Sequence, residues 1–393
     1  MKKIITTIIM ISSFLLLQKH SFAADSLDLS IASQAAILMD SQTGAVLYEK
    51  NANTKMYPAS LTKIATAIYA IEHGNLNDRI IVSKKATEVE GTKVYLNEGE
   101  EVSLEHLIQG MLINSGNDAA EAIAEHLNGN VDQFSAELNR YLKNVVKVKN
   151  THFTNPHGLF NEDHYTTAYD MALITNYALQ NDTFSKIFGT KELLWDGQTW
   201  DTTLYTHHRM LKGEVVYKGV TGGKTGYVDE SKQTLATTAE NDQIKLTSIL
   251  LKADTKQSIY TDTIQLLDYG FQNFKTTMIP KNKIYEFNNK EFITKKEEWV
   301  TIPLQNAIEE VTTAGLMEIK NQDGELIQSI ELDEKENKPA AQIVQHKNDL
   351  PLDKKSIGLH YYIPLFFILA AVIFARNKRL SVKRSSQEGK YTS

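Results

Sequence analysis

Pro58-Ala59-Ser60-Leu61-Thr62-Lys63 opens the most telling pattern in this chain, and Ser115-Gly116-Asn117 and Lys224-Thr225-Gly226 complete it further along. Ser60 follows a proline and begins an apolar-periodic run, Ile64, Ile68 and Ile71 with interleaved alanines, that ends at Gly74. The spacing predicts a helix with Ser60 in its first turn, where unpaired N–H groups and the helix dipole favour developing negative charge. Lys63 stands three residues on, on the same helical face and within reach of the serine hydroxyl. The pair reads as a nucleophile with its base. A lysine with an ordinary pKa of ~10.4 is a poor base at neutral pH, so Lys63 has to be desolvated or set beside another cation, and Lys224 is the candidate. By itself S-x-x-K is weak, since about two would arise by chance in a chain of this length, and Ser60 alone reads equally as a helix cap.

Ser115 and Asn117 fall between an apolar run, Leu104, Leu107, Ile108, Met111 and Leu112, and the Ala-rich segment Asp118 to Leu127. That places them on a connection between helices. A second hydroxyl there can relay a proton between the lysine and a leaving amine, while the Asn117 amide can orient Lys63 and a substrate carbonyl. Taken alone, Ser-Gly-Asn is an ordinary turn. Lys224-Thr225-Gly226 lies on a predicted strand behind Gly222-Gly223. Lys224 and the Thr225 hydroxyl can clamp a carboxylate, Gly226 lets a substrate backbone pair along the strand edge, and the N–H groups of Ser60 and Tyr227 form a candidate oxyanion hole. A phosphate loop is excluded because Lys218 occupies the position that its first glycine requires. Order, uniqueness and placement on a helix start, a helix connection and a late strand together give the three strings their weight.

The remaining sequence bounds what kind of protein carries them. At 393 residues with 42% hydrophobic content the chain suits two domains with a sizeable core. A net charge of −6, with no basic cluster before the extreme C-terminus, argues against nucleic acid as a partner. With no cysteine, disulfides, thiolate metal sites and a Cys nucleophile are all excluded. The eleven histidines lack metal-ligand spacing, and no cofactor is expected. His207-His208 reads as a solvated pair, Glu100-Glu101 and Glu297-Glu298 as solvated faces, and Asp163 with His164 lacks a second serine motif for a Ser-His-Asp triad.

Both ends carry export signals. Lys2-Lys3, the apolar run Ile4 to Leu17 and Ser21-Phe22-Ala23 read as a signal peptide over 1–23. Ile357 to Ala375 is almost unbroken apolar sequence, and nineteen residues at ~1.5 Å each reach ~28 Å, enough to cross a bilayer. The basic residues Arg376, Lys378, Arg379, Lys383 and Arg384 place the tail 376–393 in the cytoplasm. The expectation is a cell-membrane protein with a single C-terminal span and its catalytic part outside.

Between these ends, Ala35 to Asp40 and Ala45 to Lys50 read as a hairpin around Ser41-Gln42-Thr43-Gly44. Helices are predicted from Ser103, over Asp118 to Leu127, Val131 to Asn144, Thr166 to Leu179 and Thr261 to Phe271, and strands over Lys218 to Tyr227, Gln233 to Glu240 and Ile244 to Lys252. One antiparallel sheet made from both ends of a segment 31–275, with a helical region beside it, follows from that order. Lys283 to Glu286, Phe292 to Lys295, Trp299 to Pro303, Val311 to Ile319 and Leu326 to Leu332 read as strands of a small β-sandwich over 276–338, followed by a polar linker over 339–356.

From about Ala32 to Phe274 the chain resembles the low-molecular-mass penicillin-binding proteins, the serine-type D-alanyl-D-alanine carboxypeptidases. Besides the three motifs, Asn114 to Ala120, Thr151-His152-Phe153-Thr154-Asn155-Pro156-His157-Gly158-Leu159 and His164 to Ala172 carry the likeness. It implies an α+β fold of the serine β-lactamase and transpeptidase kind, an antiparallel sheet with helices on both faces, followed by a β-rich domain and a membrane anchor. It also implies that Ser60 attacks the bond between two terminal D-alanines of a peptidoglycan stem pentapeptide, that water hydrolyses the acyl-enzyme, and that β-lactams acylate the same serine. Ser60, Lys63 and Ser115 are then catalytic, and Asn117, Lys224, Thr225, Gly226 and Tyr227 bind substrate. Two departures stand out: Val228 where many relatives have threonine, and no arginine between Lys252 and Thr263, where Lys252 or Lys256 is the substitute. A β-lactamase, with Glu162 or Glu192 as deacylating residue, and a catalytically weak wall-binding scaffold are the competing readings.

Overall fold

A computed structural model of the protein describes residues 29–198 and 200–335. The expected signal peptide, linker, spanning helix and tail lie outside the described residues, among which no helix is long and apolar enough to cross a membrane.

The core is a five-stranded antiparallel sheet in the order Val46–Lys50, Ala35–Asp40, Lys245–Ala253, Lys232–Glu240, Val220–Val228, so strands from both ends of the segment meet as the sequence predicts. Ala35–Asp40 is buried at every position. Its alternate side chains serve two cores: Ala35, Ile37 and Met39 join a cluster with the helices Thr62–His73, Leu104–Ile113, Asn117–Asn128 and Ala168–Ala178. Ala36 and Leu38 face the other way and pack with Ile259, Leu266 and Leu267 of the helix Lys256–Asn273. A period of two along a strand thus gives helices on both faces of one sheet.

Short polar side chains start the helices, at the expected places for three of them, whereas the helix expected over Thr261 to Phe271 begins earlier, at Lys256, because Thr255 caps it. Ser103, Asn130, Thr167 and Thr255 each accept a hydrogen bond from the amide three residues on, which satisfies one otherwise unpaired N–H. The expected helix over Val131 to Asn144 is α-helical only to Tyr141 and continues as a π-helical turn, Leu142–Val146. A helix Asp182–Phe188, the hairpin Glu192–Asp196 with Asp201–Tyr205, and the ribbon Arg79–Ile81 with Glu101–Ser103 were not legible in the sequence. They are short and half-exposed, so their placement comes from packing rather than periodicity.

Beyond the last helix, the strands Phe274–Ile279 and Glu298–Pro303 pair with each other beside a five-stranded sheet built from Ile284–Phe287, Lys290–Thr294, Leu326–Glu334, Leu316–Lys320 and Ile308–Val311. Ile279, Phe292, Val300, Met317, Ile319, Ile330 and Leu332 fill the space between them. The single strand expected over Val311 to Ile319 is two strands, because Gly315 adopts φ 74° and the chain turns there. Asp40, buried at the end of the first strand, accepts hydrogen bonds from Thr276 Oγ1 at 2.6 Å and Thr301 Oγ1 at 2.8 Å, tying the sheet to this second β layer.

Candidate active site

Ser60 lies in a 3-10 turn, Ala59–Leu61, that runs straight into the helix Thr62–His73. One turn along, the Lys63 side chain is wholly buried. Its Nζ is 2.9 Å from Ser60 Oγ and donates to Asn117 Oδ1 at 2.7 Å and to the His157 carbonyl at 2.8 Å. Asn117 is held in that orientation because its Nδ2 donates to the Glu90 carbonyl at 2.6 Å. A neutral amine has two protons and one lone pair, and both neighbours in the interior can only accept. The lone pair is therefore left facing Ser60, whose hydroxyl proton it can take. Burial drives the Lys63 pKa well below its ordinary value, the charge of Lys224 pushes the same way, and Asp118 opposes both.

Ser115 sits between the helices Leu104–Ile113 and Asn117–Asn128 with φ 64°. Lys224, on the edge strand Val220–Val228, donates through Nζ to Ser115 Oγ at 3.0 Å and to the Thr225 carbonyl at 2.9 Å. Burial lowers the Lys224 pKa to about 7. All three motifs therefore converge: Ser60, Lys63 and Asn117 form one hydrogen-bonded group, and Ser115 with Lys224 forms a second that Lys63 feels electrostatically.

Gly226 is required here for a reason other than the open strand edge. A Cβ at this position would lie 2.4 Å from Thr234 Oγ1 and 2.8 Å from Ser60 N, so the missing side chain is what lets the strand close against the serine turn. Gly158 serves the same turn from the other side, with φ 88° and a virtual Cβ 1.9 Å from the Ala59 carbonyl oxygen.

All three motifs border a cleft of about 900 Å³ lined by Ser60, Ser115, Thr225, Tyr227, Arg209 and Lys256, with Trp200 also at its wall. Of the two lysines weighed as substitutes for an arginine, Lys256, the first residue of its helix, lines the cleft, whereas Lys252 is not among the lining residues. Arg209 joins it there, its Nε donating to Glu214 Oε2 at 3.2 Å.

Other residues fall differently from their sequence reading. Glu162 and Glu192 are exposed and line no part of the cleft. His207 is exposed on the cleft wall, but His208 is buried, accepting from Leu211 N and bonded through Nε2 to Thr237 Oγ1 at 2.8 Å. Glu100 is also buried, because it accepts from the Asn97 and Gln198 amides and so ties two loops together. Among the described residues no group of His, Asp and Glu has the arrangement to hold a metal ion. Sequence reasoning gave no individual role to Asp118, His157 or Thr62, and it weighed His164 only as a triad partner of Asp163. Asp118 accepts from the amides of Val94, Leu96 and Ala119 and thereby fixes the loop that borders Asn117. An acidic residue directly after Ser-Gly-Asn, in the first turn of an Ala-rich helix, was the available signal.

Fold and site define a serine peptidase on the architecture of penicillin-binding proteins, with a buried lysine beside the Ser60 hydroxyl. The chain belongs to the peptidase S11 family of D-alanyl-D-alanine carboxypeptidases, whose model matches residues 20–255. It is 32% identical over 286 residues to the D-alanyl-D-alanine carboxypeptidase DacF of Bacillus subtilis, covering 70% of this chain and 72% of that protein. The D-alanyl-D-alanine carboxypeptidase DacA of Haemophilus influenzae is likewise 32% identical over 304 residues, 70% of this chain and 72% of its own. Among solved structures, penicillin binding protein 5 from Haemophilus influenzae superposes with a TM-score of 0.67 at 27% identity, over 77% of this chain and 96% of that one.

Two buried histidines make stability pH-dependent. Burial lowers the pKa values of His164 and His208 from 6.5 to about 3 in the folded protein. The unfolded chain binds these protons first, so the stability linked to them is complete above about 6.5 and falls as pH drops from there toward about 3, by about 1.4 kcal/mol per pH unit for each histidine. Thermal melts are expected to show Tm declining between about pH 6.5 and about pH 5, before most carboxylates titrate; a flat profile there would contradict the buried neutral state.

Proposed function

We propose that Ser60 is the nucleophile of a serine-type D-alanyl-D-alanine carboxypeptidase that removes the terminal D-alanine from peptidoglycan stem pentapeptides. The observation that carries this reading is the Lys63 amine, buried and held by two obligate acceptors with its third direction toward Ser60 Oγ. Ser60 Oγ attacks the penultimate D-Ala carbonyl while its proton passes to Lys63 Nζ. The Ser60 and Tyr227 N–H groups stabilise the oxyanion, a contribution of about 3–4 kcal/mol per donor in comparable sites. Ser115, bonded to Lys224, completes a proton route to the departing D-Ala nitrogen. Lys224 and Thr225 hold the substrate carboxylate, with Lys256 and Arg209 adding positive charge further along the cleft. Water then attacks the acyl-enzyme and Lys63 takes its proton. β-Lactams enter the same cleft and acylate the same serine.

Labelled penicillin and a stem pentapeptide test this together. The wild-type chain is expected to retain covalent label and release D-Ala, and Ser60→Ala to do neither. Label that clears within about seconds would favour a β-lactamase, and label without D-Ala release a wall-binding scaffold.

Acylation requires Lys63 neutral and Lys224 protonated. With Lys224 at about 7, kcat/KM is expected to fall as pH rises through about 7. A bound carboxylate favours the charged amine, so the corresponding limb in kcat moves to higher pH. Profiles of kcat/KM and kcat that coincide on the alkaline side would count against the carboxylate clamp.

The apolar composition of Ile357 to Ala375 and its basic flank support a protein held at the cell membrane by this segment, with the catalytic part on the outer side. Full-length protein is expected in the membrane pellet after alkaline carbonate washing and a chain ending at residue 356 in the supernatant; equal partitioning would remove the anchor.

A further inference from the structure

We infer that His164 is a positioning residue for the nucleophile turn: acting through Thr62, it fixes the Ala59–Ser60 peptide so that the Ser60 N–H stays aimed into the cleft, an inference that rests on the acyl-transfer reading above. In a planar trans peptide the Ala59 C=O and the Ser60 N–H point in opposite directions, so whatever holds one aims the other. The Ala59 oxygen accepts from both Thr62 N–H and Thr62 Oγ1, the latter at 2.9 Å. Thr62 Oγ1 in turn lies 2.8 Å from His164 Nε2.

The direction of this chain of bonds is determined. Thr154 N–H donates to His164 Nδ1 at 3.0 Å, so Nδ1 carries no proton and Nε2 does. Nε2–H therefore donates to Thr62 Oγ1, and the single hydroxyl proton of Thr62 is left for the Ala59 carbonyl. His164 is 1% exposed and stacks on Phe153 with ring centroids 5.0 Å apart, which fixes the ring plane. His164 touches neither Ser60 nor an acidic partner, so the relay is distinct from a catalytic triad.

Ala59 itself sits at φ 49°, a left-handed conformation that a residue with a side chain resists. Rotation of the next peptide, through ψ of Ala59 and φ of Ser60, would turn the Ser60 N–H away from the cleft, and it would have to break the bonds from Thr62 to the Ala59 oxygen. The loop over Asn155 to Gly158 presses on the same carbonyl, with Asn155 Oδ1 accepting from Gly158 N at 2.7 Å. It limits how far the carbonyl can move; the Thr62 hydroxyl supplies the attraction.

Thr62→Val keeps the shape and removes the hydroxyl, whereas Thr62→Ser keeps the hydroxyl. In the full chain, Thr62→Val is expected to slow both penicillin acylation and acyl-enzyme hydrolysis by about tenfold to a hundredfold, because both steps pass through the oxyanion. KM for the pentapeptide and the positions of the pH limbs stay unmoved, since neither lysine is disturbed, and Thr62→Ser stays within about threefold of wild type. His164→Phe, which keeps the stack on Phe153 and removes the donor, is expected to lose about fivefold or more and decides the matter if Thr62→Val does not fold. A wild-type chain that fails to acylate at Ser60 overturns the acyl-transfer reading itself. Wild type that acylates beside a Thr62→Val of equal rate, or one whose loss lies in KM or comes with a shifted pH profile, overturns the positioning role alone.

Discussion

Keeping an amine inside the protein without its charge is the constraint around which the rest of the molecule is arranged. A buried ammonium is costly unless fully paired, and a buried neutral amine still needs partners for its protons. Lys63 meets this with a side-chain oxygen from the connection between two helices and a main-chain oxygen from the loop around residue 157. Those acceptors come from parts of the chain 54 and 94 residues away, so the base exists only when the helical layer is assembled. The second lysine, on the sheet's edge strand, adds a positive neighbour that further disfavours the charged form. Sheet and helical layer thus each supply a condition that keeps this amine uncharged.

How much of this was readable in the sequence varied with distance along the chain. The helix after Ser60, the five sheet strands and the three motifs were legible because each has a local signature: apolar spacing, β-branched runs, or fixed offsets of polar residues. The second layer was not. His157 contributes a carbonyl, which no residue identity announces, and His164 acts through a threonine 102 positions earlier. The burial of His208 and Glu100 was missed for a related reason: each satisfies its polar atoms with partners distant in sequence, His208 with a strand threonine and Glu100 with a loop amide, so polarity misled about exposure. No arginine stands between Lys252 and Thr263, yet Lys256 lines the cleft from that segment and Arg209, paired with Glu214, lines it from a different element.

The two sides of the cleft are built on different principles. On the serine side, main chain packs on main chain: Gly226 and Gly158 approach the Ala59–Ser60 turn so closely that a methyl group at either would collide with backbone. On the opposite side, the hairpin Glu192–Asp196 with Asp201–Tyr205 and the residues after it present side chains, among them Tyr205, which is 46% exposed, and Trp200, whose ring meets Tyr95 edge-on at 5.2 Å. One wall has no slack, and the other is held by contacts that a change of side chain can alter.

Tolerance to added bulk is therefore uneven around the opening. A methyl group at position 158 or 226 meets main chain that has nowhere to go, whereas the hairpin rim can exchange one side chain for another and keep its strand pairing, so sequence drift that preserves the fold gathers on that rim.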